Sequence, residues 1–156
     1  MPVAELGWST LAEAVAYFAN ERYVTTHWDA TTTNDLKNKV LNMAYNRIHY
    51  CPDYDTPAKA DATAAQKIFL IKAQAEMAYY FCLHLADEDR RMGLQSQNVI
   101  KAGIVKEDYY AEMLNNLPIP AIVDNLLADF KTEISMAMID IDRDEDESVD
   151  TEVDEF

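Results

Sequence analysis

The chain has 156 residues, 49% hydrophobic and 26% charged, and its 28 acidic and 13 basic residues give a net charge of −15. This length matches one domain with one core, and no run of about 18 apolar residues is present to span a membrane as a helix. The basic residues are scattered singly or in pairs between positions 22 and 143. Because phosphate backbones are bound by clustered Lys and Arg, sequence-specific duplex binding is excluded from the expected functions.

The N-terminus and the two cysteines indicate the cellular compartment in which the chain folds. Residues 1–8 contain no basic segment followed by an apolar stretch, so no secretion signal is predicted. Cys82 lies inside an apolar helical pattern, where a thiol behaves as a small hydrophobe, and Cys51 is the other cysteine. We therefore expect folding in a reducing cytoplasm without a disulfide.

The first helix signal is at Thr10. Thr10 and Glu13 have the spacing of a capping box, in which a hydroxyl and a carboxylate bind two backbone N–H groups that the first turn leaves without partners. The apolar residues that follow at helical spacing are Leu11, Ala14, Val15 and Phe18. This pattern predicts a helix that ends near Asn20.

A second helix is predicted from Thr33 or Asn34 to a point before Pro52. Its predicted apolar face consists of Leu36, Val40, Met43 or Ala44, and Ile48. Residues 50–59 contain two prolines and two aspartates, a composition typical of a loop.

The longest helix is predicted from about Thr63 to Asp87, and its many alanines allow another helix to pack closely. After Gly93 the pattern changes to two short apolar segments around Ala102 and Gly103. Such a pattern is typical of two strands joined by a turn, so a β-hairpin is predicted near 96–110.

A last helix is predicted after Pro118 and Pro120. Its apolar face consists of Ile122, Val123, Leu126, Leu127 and Phe130. An apolar continuation at 134–139 runs into residues 140–156, where ten acidic residues are offset only by Arg143. This acidic segment is expected to be a flexible, solvated tail.

These elements predict a mainly all-α fold, a small helical bundle of about four helices with a short β-hairpin between the third and the fourth. The helical domain spans residues 1–139, with the hairpin near 96–110, and residues 140–156 form the acidic C-terminal tail. The chain has only three glycines, which favours helices joined by polar loops over a sheet-rich fold.

No catalytic, metal-binding or cofactor-binding residues are predicted. No serine lies between suitably spaced glycines, and three glycines are too few for a phosphate-binding loop. His84 and Glu88 stand four apart on a helix, but a zinc site needs three or four protein ligands. Residues 140–146 imitate the start of a calcium loop, but Glu145 replaces the required glycine and Thr151 the required bidentate glutamate.

Tyr79, Tyr80 and Phe81 are consecutive aromatic residues, which in a single-strand-binding protein can stack on bases. Three consecutive helical positions cover nearly all of the helix circumference, so at least one ring is expected in the core and another is expected to be exposed or at an interface. Without an accompanying basic groove, packing is the preferred interpretation.

Several segments, in this order, resemble the head-tail connector (adaptor) family of tailed bacteriophages, head-completion proteins that form a ring beneath the portal. The resemblance spans about residues 9–130. Its most specific parts are 9–14 with Tyr17 and Phe18, Trp28, 72–78, 101–105 and 120–127. The chain departs from the family pattern at 47–50, where relatives often have a Trp and a Gly, and residues 140–156 lie beyond it.

The resemblance implies a non-enzymatic helical subunit of the virion neck, made and assembled in the host cytoplasm. It implies a homo-oligomeric ring of twelve copies between the portal protein and a neck stopper or tail-completion protein. DNA is expected to pass through the ring's channel without sequence-specific binding, and no membrane is involved.

Two surfaces are expected from the family and from the apolar last helix. The portal or subunit interface is expected at Ile119, Ile122, Val123, Leu126, Leu127, Phe130, Ile134 and Met138. The surface that faces the channel or the stopper is expected in the hairpin, at Gln97, Lys101, Gly103 and Lys106.

Two other classes of function stay open. Some relatives are described as resembling a DnaT-like single-stranded-DNA-binding family, so the alternative is a replication accessory protein, against which the charge of −15 argues. The third possibility is a small acidic regulatory protein that mimics DNA and binds a basic partner through residues 140–156.

Overall fold

Helices make up most of the described chain, as the sequence predicts. The structure is a computed structural model, and it describes residues 7–96, 101–102, 107–108 and 118–132. The acidic tail at 140–156 and the apolar segment at 134–139 therefore lie outside the described residues.

Helix α1 (Leu11–Asn20) begins and ends where the sequence predicts. The capping box is confirmed: the Glu13 backbone N–H donates to Thr10 Oγ1 at 3.2 Å, and the Thr10 N–H donates to Glu13 Oε2 at 2.7 Å. Burial raises the pKa of Glu13, but the hydrogen bonds from Thr10 and the charge of Lys59 outweigh it and hold that pKa below its ordinary value. Ala14 and Phe18 are buried, so this face is the one that enters the core.

Helix α2 (Thr26–Ala30) is a five-residue helix that the sequence analysis does not predict. Its N-cap residue makes no side-chain capping bond, so local signals are weak. Trp28 is buried and its ring centroid lies 4.5 Å from that of Phe18. Packing of this indole, rather than helix propensity, holds the turn in place.

Helix α3 (Asn34–His49) has Thr33 as its N-cap, and the Leu36 N–H donates to Thr33 Oγ1 at 3.2 Å. Both predicted boundaries are confirmed. The predicted apolar face is only partly correct, because Leu36 is 47% exposed; of the alternatives Met43 and Ala44, Ala44 is the buried one. The fully buried residues of this helix are Leu41, Ala44 and Ile48.

Helix α4 (Ala64–Ser96) is the central element. Every residue from 73 to 79 is buried, and α1, α2, α3 and α5 (Ala121–Leu126) all pack against this helix. Alanines at 73, 75 and 78 let these neighbours approach closely. The helix passes the predicted end at Asp87 and continues through Gly93, since one exposed glycine costs only about 1 kcal/mol in a helix.

No helix among the described residues is both long and apolar enough to cross a membrane.

Two short strands, β1 (Lys101–Ala102) and β2 (Glu107–Asp108), pair antiparallel, with Lys101 opposite Asp108. The hairpin predicted near 96–110 is not confirmed by this pairing, because two residue pairs fall short of an ordinary strand. Ala102, predicted in the turn, belongs to β1. The rest of the predicted hairpin lies outside the described residues.

The last predicted helix is shorter than expected. Helix α5 is followed by a 3₁₀ turn at Ala128–Phe130, and the chain is extended from Lys131. The Thr132 N–H donates to the carbonyl of Asp53 at 2.9 Å, and the Asp55 N–H donates to that of Phe130 at 2.8 Å. The chain thus leaves the helix to pair with the loop that precedes α4.

The segment before α1 is tied to the core by Trp8 and Ser9. The buried Trp8 donates through Nε1 to the carbonyl of Pro57 at 2.7 Å. The Ser9 N–H donates to Gln74 Oε1 at 2.8 Å, and Gln74 Nε2 donates to the carbonyl of Leu41 at 2.9 Å. One buried amide on α4 therefore joins the chain before α1 to α3.

Candidate interaction surface

The residues predicted for a portal or subunit interface fall into two groups. Val123, Leu127 and Phe130 are buried in the core of the subunit. Ile122 is 49% exposed. Ile119 and Leu126 are half-buried against the core, while Ile134 and Met138 lie outside the described residues. Most of this apolar face is therefore used within the subunit, and Ile122 is its exposed member among the described positions.

The hairpin residues expected at the channel are less fully described. Lys101 belongs to β1, whereas Gln97, Gly103 and Lys106 lie outside the described residues. The predicted role of this surface stays a prediction.

A polar contact fixes α5 to the loop before α4. Tyr54 Oη donates to Asp124 Oδ1 at 2.6 Å, and Lys131 Nζ donates to Asp124 Oδ2 at 2.8 Å. These two hydrogen bonds lower the pKa of Asp124, and burial together with the Asp124 carboxylate raises the pKa of Tyr54. The three residues line a cleft of about 370 Å³ with Pro52, Asp53 and Thr132.

A buried carboxylate on α4 organises the loop between α1 and α2. Glu76 is 3% exposed, forms an ion pair with Arg22, and accepts a hydrogen bond from Tyr17 Oη at 2.6 Å. The guanidinium carbon of Arg22 lies 3.7 Å above the ring centroid of the buried Tyr79. The charge of Glu76 is therefore compensated, as a buried charge must be.

The same loop presents two apolar side chains to solvent. Tyr23 is 101% exposed and Val24 is 53% exposed. The two preceding residues are held: Lys72 Nζ donates to Glu21 Oε2 at 2.5 Å, and Arg22 Nε donates to the carbonyl of Val24 at 3.0 Å. We call Tyr23 and Val24 the knob.

A groove runs between α1 and α4, with a volume of about 290 Å³. Its lining consists of Glu13, Ala16, Tyr17, Asn20, Glu21, Ile68, Ile71 and Lys72. Ile68 is 55% exposed, which is unusual for a large aliphatic side chain beside other apolar groups. Glu13 and Glu21 on the rim are paired with Lys59 and Lys72 at 3.7 and 2.5 Å. The groove therefore offers an apolar floor and a rim of paired charges.

The His84 and Glu88 pair considered for a metal is engaged otherwise. Glu88 accepts from Arg47 Nη2 at 3.0 Å and from Tyr80 Oη at 2.9 Å. Burial and the Glu88 carboxylate raise the pKa of Tyr80 to about 12. Among the described residues, no group of three or more His, Cys, Asp or Glu side chains has the arrangement of a metal site.

The three consecutive aromatic residues are packed, as the preferred interpretation predicts, but none of them is fully exposed to solvent. Tyr79 and Phe81 are 6% and 3% exposed, and Tyr80 is half-buried with its hydroxyl on Glu88. The partners of these rings, Arg22 and Arg47, are not predicted from the sequence. Arg22 and Glu76 are 54 residues apart in the chain, a separation that no local pattern connects.

Searches against protein-family models, curated proteins and solved structures returned no match to this chain.

Proposed function

We propose that this chain is a structural head–tail adaptor subunit of a tailed bacteriophage, without catalytic activity. It forms a homo-oligomeric ring, of twelve copies, beneath the portal protein in the virion neck, and it joins the DNA-filled head to a stopper or tail-completion protein. DNA passes through the ring. Subunits are made and assembled in the host cytoplasm.

One observation supports this proposal above the others: three sequence segments that resemble the adaptor family pack together in the core. Ala14 from the first segment and Val123 from the last are fully buried, and residues 73–78 of the central segment are enclosed in α4. Segments separated by about a hundred positions along the chain thus form one packed unit. Shared segments that build a common core are what a shared fold requires.

The alternative, a DnaT-like single-stranded-DNA-binding protein, is supported less well. Its expected stacking residues include Tyr79 and Phe81, whose rings are buried. Arg22 and Arg47 are paired with Glu76 and Glu88 rather than aligned along a groove. The adaptor is therefore the function we propose.

The portal contact is tested by substitution at the exposed residue of α5. We expect Ile122→Gln to weaken binding of the purified chain to its portal ring, because it removes the exposed apolar contact while the buried residues of α5 stay in place. Asn125→Gln, also exposed on α5, is the matched control and should leave binding unchanged. Biolayer interferometry on immobilised portal rings measures both variants.

Electron microscopy of virions tests the wider proposal. Density for a ring of this subunit directly beneath the portal is expected in averaged images of the neck. Particles whose neck lacks this chain, or an unchanged head-to-tail junction in particles assembled without it, would contradict the proposal.

A further inference from the structure

We propose that the knob of one copy, Tyr23 with Val24, binds in the groove between α1 and α4 of a second copy. The inference names a surface for the self-association that the proposed function requires, and in that respect it rests on that function. It is derived from the described residues of the loop, α1 and α4.

The knob is preorganised for binding. Tyr23 has no shielding from its own subunit, yet the neighbouring Glu21 and Arg22 are fixed to Lys72 and Glu76 on α4. A fixed loop loses little conformational entropy when it binds, and an exposed tyrosine brings a large contact area with only two rotatable side-chain bonds. Tyrosine is also among the residues that most often dominate interface energies.

The groove has the chemistry that such a knob needs. Ala16, Ile68 and Ile71 supply apolar contacts, and Asn20 on the lining can hydrogen-bond a phenol hydroxyl. The volume of about 290 Å³ accommodates a side chain of tyrosine size. Apolar surface removed from water on both sides of this contact is the driving force.

Charge favours a second copy of this chain as the occupant. The chain carries −15, so two copies repel unless they meet at a neutral patch. The knob carries no charge, and the two acidic groups that line the groove, Glu13 and Glu21, are each paired with a lysine. Nine of the fifteen net negative charges reside in residues 140–156, which belong to neither the knob nor the residues that line the groove. A basic partner would gain nothing from this balanced rim.

The position of the two features also fits self-association. Glu21 and Lys72 line the groove and at the same time anchor the loop that bears the knob. Knob and groove are different patches of one subunit, so each copy offers one of each, and a chain of such contacts closes into a ring when the rotation between neighbours permits.

Sedimentation equilibrium of the full chain tests the contact. The wild-type chain is expected to self-associate, and Tyr23→Ala is expected to lower the association constant by about 30-fold or more. Tyr50→Ala removes another tyrosine that is 75% exposed, at the C-terminal end of α3, and should leave the constant unchanged. Helical circular dichroism of Tyr23→Ala should equal that of the wild type. The urea midpoints should also be equal at protein concentrations low enough for both chains to be monomeric.

A mixing experiment distinguishes this contact from a general loss of folding. The double variant Ala16→Gln/Ile68→Gln fills the groove and makes it polar but keeps the knob, while Tyr23→Ala keeps the groove. Each variant alone should sediment as a monomer, and an equimolar mixture should contain a one-to-one pair, since one intact knob meets one intact groove.

The inference is overturned by a wild-type chain that stays monomeric, by Tyr23→Ala that associates as strongly as wild type, or by a mixture without the pair. Any of these results leaves the portal-binding test with Ile122→Gln unaffected. Conversely, a chain that self-associates through the knob but does not bind the portal would contradict the adaptor function and leave the knob contact standing.

Discussion

Gly7 allows the chain to enter the core before α1. Its φ is +94°, in the left-handed region that favours glycine, and a Cβ there would lie 2.3 Å from Cδ2 of Tyr45. The Tyr45 ring in turn packs edge-on against Trp8, with centroids 4.6 Å apart. Glycine is therefore required at position 7 both by the backbone conformation and by the close approach of the Tyr45 ring.

We expect Gly7→Ala to lower the free energy of unfolding by about 3 kcal/mol, since it adds both backbone strain and steric overlap. Gly93→Ala is the matched control: a Cβ at this helical position meets nothing within 4 Å. It should stabilise the chain by about 0.5–1 kcal/mol. Urea denaturation measures both variants, and equal effects at the two glycines would contradict this interpretation.

Glu76 shows how one buried charge fixes a distant loop. Its side chain is 3% exposed, whereas that of Arg22 is 25% exposed. When Glu76 is replaced, water therefore compensates part of the guanidinium charge of Arg22. The expected loss of stability is smaller than the loss on breaking a fully buried ion pair.

We expect Glu76→Gln to lower the free energy of unfolding by about 2 kcal/mol, because Arg22 and Tyr17 lose a charged acceptor. Asp89→Asn, an exposed acid on the same helix, should change it by less than about 0.5 kcal/mol. Chemical denaturation followed by circular dichroism measures the difference. A loss at Asp89 as large as that at Glu76 would show that net charge, not the buried pair, sets the effect.

At the scale of elements, α5 depends on polar contacts as well as apolar ones. Its six residues are too few to be helical in isolation. Val123 buries one side of the helix, and Tyr54 and Lys131 hold Asp124 on another. The extended pairing of Lys131 with Tyr54 then closes this end of the fold.

The lowered pKa of Asp124 gives this contact a defined pH dependence. A carboxyl group with a lower pKa in the folded state stabilises the fold fully above its unfolded pKa, and this contribution is lost as pH falls through the folded pKa. We therefore expect the protection of the α5 amides, taken relative to their intrinsic exchange rates at each pH, to fall below about pH 4.

Hydrogen exchange measured by mass spectrometry checks this expectation. In Asp124→Asn, exchange in α5 should already be faster at neutral pH, and the acid dependence from this group should vanish. Asp129→Asn, exposed on the following 3₁₀ turn, serves as the control. An unchanged acid response in Asp124→Asn would show that another group controls α5.

At the scale of the whole molecule, the negative charge is concentrated in the C-terminal part of the sequence. Residues 140–156 carry a net charge of −9, and the remaining 139 residues carry −6. Two of the basic residues in the described part, Arg22 and Arg47, are paired with buried carboxylates. Removal of residues 140–156 would therefore leave a chain that is still net negative.

We expect neither the full chain nor a truncation after Ile139 to retard a single-stranded oligonucleotide in an electrophoretic mobility assay at low salt, because both keep a negative net charge. A basic single-strand-binding protein run in parallel shows that the assay detects binding. Retardation that disappears steeply with added salt would instead support the replication accessory function.

The sequence by itself determined the local features of this protein. The capping signals at Thr10 and Thr33 place two helix starts correctly, since a cap involves only the next three residues. The long apolar and alanine-rich pattern predicts α4, and the sparse glycines predict a mainly helical fold. The charge of −15 follows from composition alone.

Only the tertiary structure decided which predicted surfaces are free. From the sequence, the apolar pattern of Val123, Leu127 and Phe130 is compatible with an exposed interface or with a core. In the structure these residues are buried, so they belong to the core. Helix α2 forms because Trp28 meets Phe18, and the knob is fixed because Arg22 reaches Glu76. Such contacts join residues far apart in the chain, so they depend on the path of the backbone rather than on any local pattern.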